Sequence, residues 1–115
     1  MAAGDKYTDP EGNEVILGEI GHEIILENDE FRVWSIYLEP GDSQPWHKHH
    51  HPYLVIAIQE AHNRIDPISG AEPKFVHETV GRVIFREPGE VHMLTNNGDT
   101  PYESRLVEYL GTRID

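Results

Sequence analysis

The chain has 115 residues, enough for one domain with a modest hydrophobic core. Its formal net charge is −12, which argues against a nucleic-acid partner and against binding to an anionic membrane surface. It contains no cysteine, so disulfides, thiol nucleophiles and thiolate metal ligands are excluded. The N-terminus is polar and the longest apolar run covers only residues 53–58, so we expect a cytoplasmic protein with no signal peptide and no membrane span.

Short strand-like segments separated by glycine, proline, asparagine and aspartate dominate the sequence. Residues 1–20 are less regular, and their Val-Ile-Leu patch at 15–17 predicts either an edge strand or an arm across a second subunit. Residues 21–115 are expected to form one barrel domain. Eight or nine short strands with turn residues between them are typical of an all-β sandwich or barrel. The predicted strands cover residues 22–27, 31–38, 53–59, 63–66, 74–79, 82–86, 90–95 and 101–110.

Four of the eight histidines fall between positions 47 and 51, in the run HKHHH. Alternate residues of an extended chain share a face, so a strand here would direct His47, His49, His51 and Tyr53 to the same side. His50 would point the other way. Two imidazoles at positions i and i+2 can meet one metal ion, and a third ligand must then come from elsewhere in the fold.

His92 is the best candidate for the third ligand because it follows a Pro-Gly turn at the start of a strand predicted to be buried. Neutral imidazole suits zinc, copper, iron and nickel, and three protein ligands with an open position are typical of a catalytic site. The alternative is a polar surface loop that binds metal only adventitiously, since short histidine-rich tracts are weak compositional signals.

The residues around these histidines resemble the two motifs of the cupin superfamily. In the first motif, Gly41 is followed after five residues by His47, with His49 in register. The second motif is matched at Gly81, Gly89, His92 and Asn96. The similarity covers the chain from about residue 30 to residue 110, and is closest to small single-domain bacterial cupins. It implies an all-β double-stranded β-helix, or jelly-roll barrel, with Asn96 in a structural role.

Three positions depart from the family pattern. Tyr53 stands where the family has a glutamate ligand, and Glu60 stands in place of a glycine. Pro88 comes one residue late, which leaves Glu87 in the expected proline position. The first departure removes a carboxylate from the metal site. The resemblance therefore implies a three-histidine site, or one in which Tyr53 supplies a weak or conditional fourth contact.

The expected function is that of a metalloenzyme acting on a small polar metabolite, of the dioxygenase, lyase, isomerase or decarboxylase type. One divalent transition metal (Fe, Mn, Ni or Zn) would bind to His47, His49 and His92, and Tyr53 or His51 would carry a proton. The alternative is a non-catalytic cupin that binds a small ligand or acts as a sensor, with a structural metal or none. In either case we expect a homodimer, because open sheet edges need protection.

Some further side chains would determine the size and charge of a substrate pocket beside the histidines. Val55, Ala57 and Gln59 continue the face of Tyr53, and small apolar groups there would leave room for a compact substrate. Arg105, on the last strand, would grip a substrate carboxylate if it faced inward, or form an outward salt bridge if it did not. Trp46 is expected to pack in the core or at its rim.

Overall fold

The structure is a computed structural model that describes residues 3–114, and the chain is all β over that range. No helix in this part of the chain is long and apolar enough to cross a membrane, and the cytoplasmic location stays a prediction. Eleven strands follow one another in the described residues: β1 (Lys6–Thr8), β2 (Glu14–Ile16), β3 (Glu23–Glu27), β4 (Phe31–Leu38), β5 (Ser43–Lys48), β6 (Tyr53–Gln59), β7 (Ala61–Pro67), β8 (Lys74–Glu78), β9 (Val83–Arg86), β10 (Val91–Asn96) and β11 (Tyr102–Tyr109).

Two large antiparallel sheets form the body of the molecule. One has four strands in the order β5-β10-β7-β8, and the other has five in the order β3-β4-β11-β6-β9. The core cluster draws on both sheets: Trp34 and Leu106 come from the five-stranded sheet, and Ala61 comes from the four-stranded one. The two sheets therefore enclose a shared interior, as the prediction of an all-β barrel requires.

Strand β11 shows how the sequence divides its side chains between the interior and the surface. Tyr102, Leu106 and Glu108 are buried, whereas Glu103 and Arg105 lie on the opposite face, which is half-exposed. Arg105 Nη1 pairs with Glu103 Oε2 at 3.2 Å. Of the two alternatives for Arg105, the structure shows the outward salt bridge.

The first two strands pair with each other as a small antiparallel hairpin. Just after β2, Leu17 is buried and packs with Val91 in a second apolar cluster, which Trp46 and Tyr7 also contact. This contact fixes the hairpin to the barrel and confirms the packing role expected for Trp46. The division of the chain at residue 20, and the alternative of an arm across a second subunit, stay predictions.

The histidine-rich run is not one continuous strand. β5 ends at Lys48 and β6 begins at Tyr53, so residues 49–52 form a bend. No separate strand was predicted for β5, because Pro45 and the histidines interrupt the apolar alternation that marks a strand. The bend decides which of the clustered histidines reach the interior.

Turn residues hold in place the strands that carry the clustered histidines. Gly41 has a φ of +88° and Gly89 a φ of +118°, conformations that favour glycine. The backbone N–H of Gly89 donates to the carbonyl of His49 at 3.0 Å. Asn96 is buried, and its Nδ2 donates to the carbonyls of Leu38 and Thr100 at 3.0 and 2.8 Å. Asn96 is therefore structural, as expected.

Candidate metal centre

Three histidines converge in the interior between the two sheets. His47 on β5 and His92 on β10 are direct partners in the antiparallel register, and their ring centroids are 4.7 Å apart. His49, in the bend after β5, places its ring centroid 5.1 Å from that of His47 and 5.4 Å from that of His92. The possible ligand nitrogens of the three lie within 4.8 Å of one another. The structure thus brings together the three residues proposed from the sequence.

Neighbouring groups orient two of the three rings. His47 Nδ1 donates to the Pro45 carbonyl at 2.6 Å, and His92 Nδ1 donates to Glu90 Oε1 at 3.0 Å. Each bond fixes the tautomer that leaves Nε2 with a free lone pair, an arrangement common around metal-binding histidines. His49 Nδ1 is buried and has no hydrogen-bond partner among the described residues. An orphaned buried nitrogen beside two free lone pairs fits a metal ion.

Burial also sets the charge of the cluster. Desolvation lowers the pKa of His47 to about 3, with a further contribution from nearby His92. The pKa of His49 is lowered well below its usual value by the same cause, and that of His92 is lowered by burial although its bond to Glu90 opposes the shift. All three imidazoles are therefore neutral near pH 7, which is the form that binds metal.

Tyr53 lies beside the cluster at the first residue of β6. Its ring stacks on that of His49, with centroids 3.8 Å apart and planes 12° from parallel. Burial raises the pKa of the Tyr53 hydroxyl, so this group stays protonated near neutral pH and can donate a hydrogen bond or a proton. Its predicted catalytic role, like a direct contact with the metal, stays a prediction.

Two cavities that share lining residues adjoin the histidines. The inner cavity, about 50 Å³, lies within the barrel, and Val55 is one of its lining residues. The second, here called the mouth cavity, is about 280 Å³ and includes Lys74, Glu87 and Glu90 in its wall. The residues that line both cavities are His49, Tyr53, Ile65, Arg86 and His92. A molecule in the mouth would therefore meet the face of the cluster formed by His49 and His92.

His51 lies in a different place from the three clustered histidines. It is buried, its Nδ1 donates to the Thr112 carbonyl at 2.8 Å, and it lines a separate cavity that also contains Trp34 and Glu108. The bend after His49 turns this side chain away from the face that an unbroken strand would give it. This location lends no support to a role in proton transfer, and that role stays a prediction.

The sequence analysis did not single out several polar residues that line these cavities. Arg86 is directly opposite Tyr53 in the pairing of β6 with β9, and Lys74 is opposite Ile65 in the pairing of β7 with β8. Glu78 is buried at the inner cavity and accepts from Asn63 Nδ2 at 3.2 Å. Period-two alternation along β9 could have placed Arg86 on the face of Ile84, but choosing which face is internal needs the fold.

No protein-family model matches the sequence, and no curated protein is similar to it. Solved structures do match. A cupin-domain protein from Bordetella pertussis Tohama I is 22% identical with a TM-score of 0.69, over 76% of this chain and 88% of the other. An RmlC-like cupin from Methanocaldococcus jannaschii is 15% identical with a TM-score of 0.64, over 93% and 82%. The DMSP lyase DddQ from Ruegeria pomeroyi is 19% identical with a TM-score of 0.52, over 71% and 39%.

These similarities extend over most of the described chain at low sequence identity, so they report on the fold. They agree with the two antiparallel sheets already described. The small chain therefore has the cupin fold, a double-stranded β-helix, as its resemblance to the superfamily predicted.

Proposed function

We propose that the protein is a metal-binding cupin that acts as an enzyme on a small polar metabolite. The observation that carries the proposal is the cluster of three buried, neutral imidazoles with ligand nitrogens within 4.8 Å of one another. Buried polar groups are normally satisfied, and a cluster of three imidazoles at the end of an open cavity is costly unless it has a ligand to bind. One divalent ion, Fe, Mn, Ni or Zn, satisfies all three.

His47, His49 and His92 would hold the ion, which would supply Lewis-acid chemistry or, if it is iron, the activation of oxygen. The chain contributes the rest of the site. The Glu90 carboxylate holds the His92 ring in position, and Tyr53 offers a protonated hydroxyl at the wall of both cavities. The inner cavity of about 50 Å³ has room for only a few water molecules, and a ligand that displaces them would strengthen each polar contact made there.

Dioxygenase, lyase, isomerase and decarboxylase chemistry all remain candidate reaction types for this site. The similar structure named as a DMSP lyase keeps lyase chemistry among them. The fold itself supports many reactions, so the substrate has to be found by experiment.

A non-catalytic cupin that binds a ligand or senses one is the second candidate. It is favoured by the tyrosine at position 53, where the family has a metal-binding glutamate, since the site then lacks a carboxylate ligand. Metal would be structural, or absent, in that case. A saturable small ligand that no metal form converts to product would support this candidate over the enzyme.

The proposal is tested first by the metal content of the protein purified from its native host, measured by elemental analysis. We expect about one ion per chain. The metal-free protein is then loaded with Fe(II), Mn(II), Ni(II) or Zn(II), and each form is assayed against small carboxylates and amino acids. Protein that carries no stoichiometric metal, and takes none up, would contradict the metal site.

We also propose that a second copy of the chain pairs along β3. This strand is an edge of the five-stranded sheet, and all five of its residues are exposed. Ile24, Ile25 and Leu26 are 43%, 47% and 53% exposed, an apolar edge that a soluble monomer would leave open to aggregation. Light scattering should give twice the chain mass for the wild type and a lower mass for Leu26→Lys. A monomeric wild type would contradict the dimer.

A further inference from the structure

Two cationic side chains line the mouth cavity and form no salt bridge with any carboxylate of the described residues. Arg86 and Lys74 come from β9 and β8, the edge strands of the two different sheets. The chain has 21 acidic residues and only nine lysines and arginines, so carboxylates are abundant. Arg32, Arg64 and Arg105 pair with such carboxylates, whereas neither Arg86 nor Lys74 forms a salt bridge within residues 3–114. Arg86 and Lys74 are therefore available to a ligand.

Arg86 is the better placed of the two cations. It is half-buried, lines both cavities and lies directly across from Tyr53, whose ring stacks on His49. Residues directly opposite in an antiparallel pair share a face and have Cβ atoms about 5 Å apart. Arg86 therefore lines the same cavities as His49 and His92. Its planar fork matches the two oxygens of a carboxylate.

The remaining charges at the mouth limit what the site can accept. Glu87 and Glu90 also line this cavity, and Glu90 is engaged by the ring of His92. Two cations beside two carboxylates disfavour a multiply charged anion such as a phosphate monoester. The same four charges are compatible with a ligand that carries one negative charge and binds it at the Arg86 guanidinium. The cavity of about 280 Å³ is at the small end of ligand pockets, which fits a compact molecule.

We propose that the substrate is a small carboxylic acid, bound as its anion, with the carboxylate held by Arg86 and supported by Lys74. This inference rests on the proposed function for the identity of the site, and it adds the chemical class of the substrate. With its carboxylate on Arg86, the rest of the molecule extends towards His49 and His92, where the reacting atoms would lie.

The test compares carboxylates with their neutral amides. Lactate, pyruvate and benzoate, each beside the corresponding amide, are titrated into ¹⁵N-labelled protein loaded with Zn(II), and the side-chain Nε–H signal of Arg86 is followed by NMR. We expect at least one acid to shift this signal and to bind about tenfold more tightly than its amide, as a charge-assisted hydrogen bond allows. Equal binding of acids and amides, or no binding of any acid, would overturn the inference.

Arg86→Gln should weaken binding of that acid about tenfold and remove its preference over the amide. The matched control is Arg105→Gln, because Arg105 is an arginine of the outer face paired with Glu103. This control should bind the acid like the wild type. An Arg86→Gln variant that keeps both the affinity and the preference for the acid would also overturn the inference.

Different results would contradict the proposed metal site and the proposed carboxylate substrate. If the protein takes up no metal, the metal site is wrong, and the same titration of the metal-free protein still measures the preference for carboxylates at Arg86. If Zn(II) binds to the wild type and to Arg86→Gln with equal affinity but no acid is preferred, the metal site stands and the substrate class is wrong.

Discussion

Two pairs of histidines in the same four-stranded sheet have similar ring separations and opposite surroundings. His47 faces His92 across β5 and β10, with ring centroids 4.7 Å apart, and His62 faces His77 across β7 and β8 at 4.3 Å. The first pair points inward, where the residues are 3% and 9% exposed. The second pair lies on the surface, and His77 Nε2 bonds to Glu60 Oε2 at 2.7 Å.

The comparison shows that two imidazole pairs at similar distances can differ in ring orientation and in the partners of their nitrogens. The outer rings stack face to face, 12° from parallel, and a surface carboxylate, that of Glu60, satisfies His77 Nε2. The inner rings meet edge to face and are joined by His49. Within residues 3–114, His47, His49 and His92 are the only group of three or more possible ligand residues that lie close enough together to hold one ion.

The largest expected difference between the pairs is in metal affinity. His92→Gln should weaken Zn(II) binding on the order of a thousandfold, because a bound ion would lose about a third of a free energy that reaches 10 kcal/mol or more in protein zinc sites. A chelator competition assay measures it. The matched variant His77→Gln should bind Zn(II) like the wild type. Loss of Zn(II) in both variants, or in neither, would contradict the assignment.

The buried inner pair should also make the free energy of unfolding depend on pH. The pKa of His47 is about 3 in the folded protein and near 6.5 when unfolded, so below pH 6.5 the unfolded chain binds a proton that the folded chain does not. The free energy of unfolding of the metal-free protein should fall with decreasing pH, by about 1.4 kcal/mol per pH unit for each such histidine. Urea unfolding at several pH values measures the slope.

His47→Asn provides the check on this slope. It removes one of the groups that must stay neutral in the folded state, so its free energy of unfolding should depend less steeply on pH between about 6 and 4. A slope equal to that of the wild type would show that His47 is protonated in the folded protein, contrary to its burial.

A smaller difference in Zn(II) affinity is expected when the carboxylate that contacts each pair is replaced. Glu90 holds the His92 ring through Nδ1, and Glu60 contacts His77 on the surface. Glu90→Gln should weaken Zn(II) affinity about tenfold, the lower end of what is usual for a group that orients a metal-binding histidine. Glu60→Gln should leave the affinity unchanged. Equal affinities in the two variants would show that Glu90 has no orienting role.

The smallest effect is expected on the free energy of unfolding when the outer pair is removed. Glu60 and His77 have side chains that are 58% and 49% exposed, and exposed ion pairs contribute about 0 to 1 kcal/mol. His77→Gln should therefore change the free energy of unfolding by less than about 1 kcal/mol, as measured in urea. A larger loss would mean that the stacked pair His62–His77 fixes the β7–β8 register.

The sequence predicted much of this arrangement because the relevant signals are local. Alternation in residues 31–38 and the apolar run at 53–59 gave β4 and β6 with the bounds that the structure shows. The glycines at 41 and 89 marked turns because only glycine adopts their backbone conformation without strain. The spacing of His47, His49 and His92 then matched a known family pattern.

Features that depend on contacts distant in the chain escaped the sequence analysis. The bend at residues 49–52 separates His51 from the cluster, and its C-terminal partner Thr112 is more than sixty positions away. Arg86 reaches the site only because β9 pairs with β6, and Lys74 only because β8 pairs with β7. Nothing in the local pattern of either strand shows which face will be internal.

By itself, the amino-acid sequence determined that the chain is built of short strands, where most of its turns fall and which histidines were candidates for a metal. Tertiary structure alone decided which cross-strand histidine pair is removed from water, that His51 lies elsewhere, and that two cations flank the mouth. The physical reason is that alternation and turn preference are properties of neighbouring residues. Burial and charge proximity arise only when strands distant in the chain pair and enclose a common space.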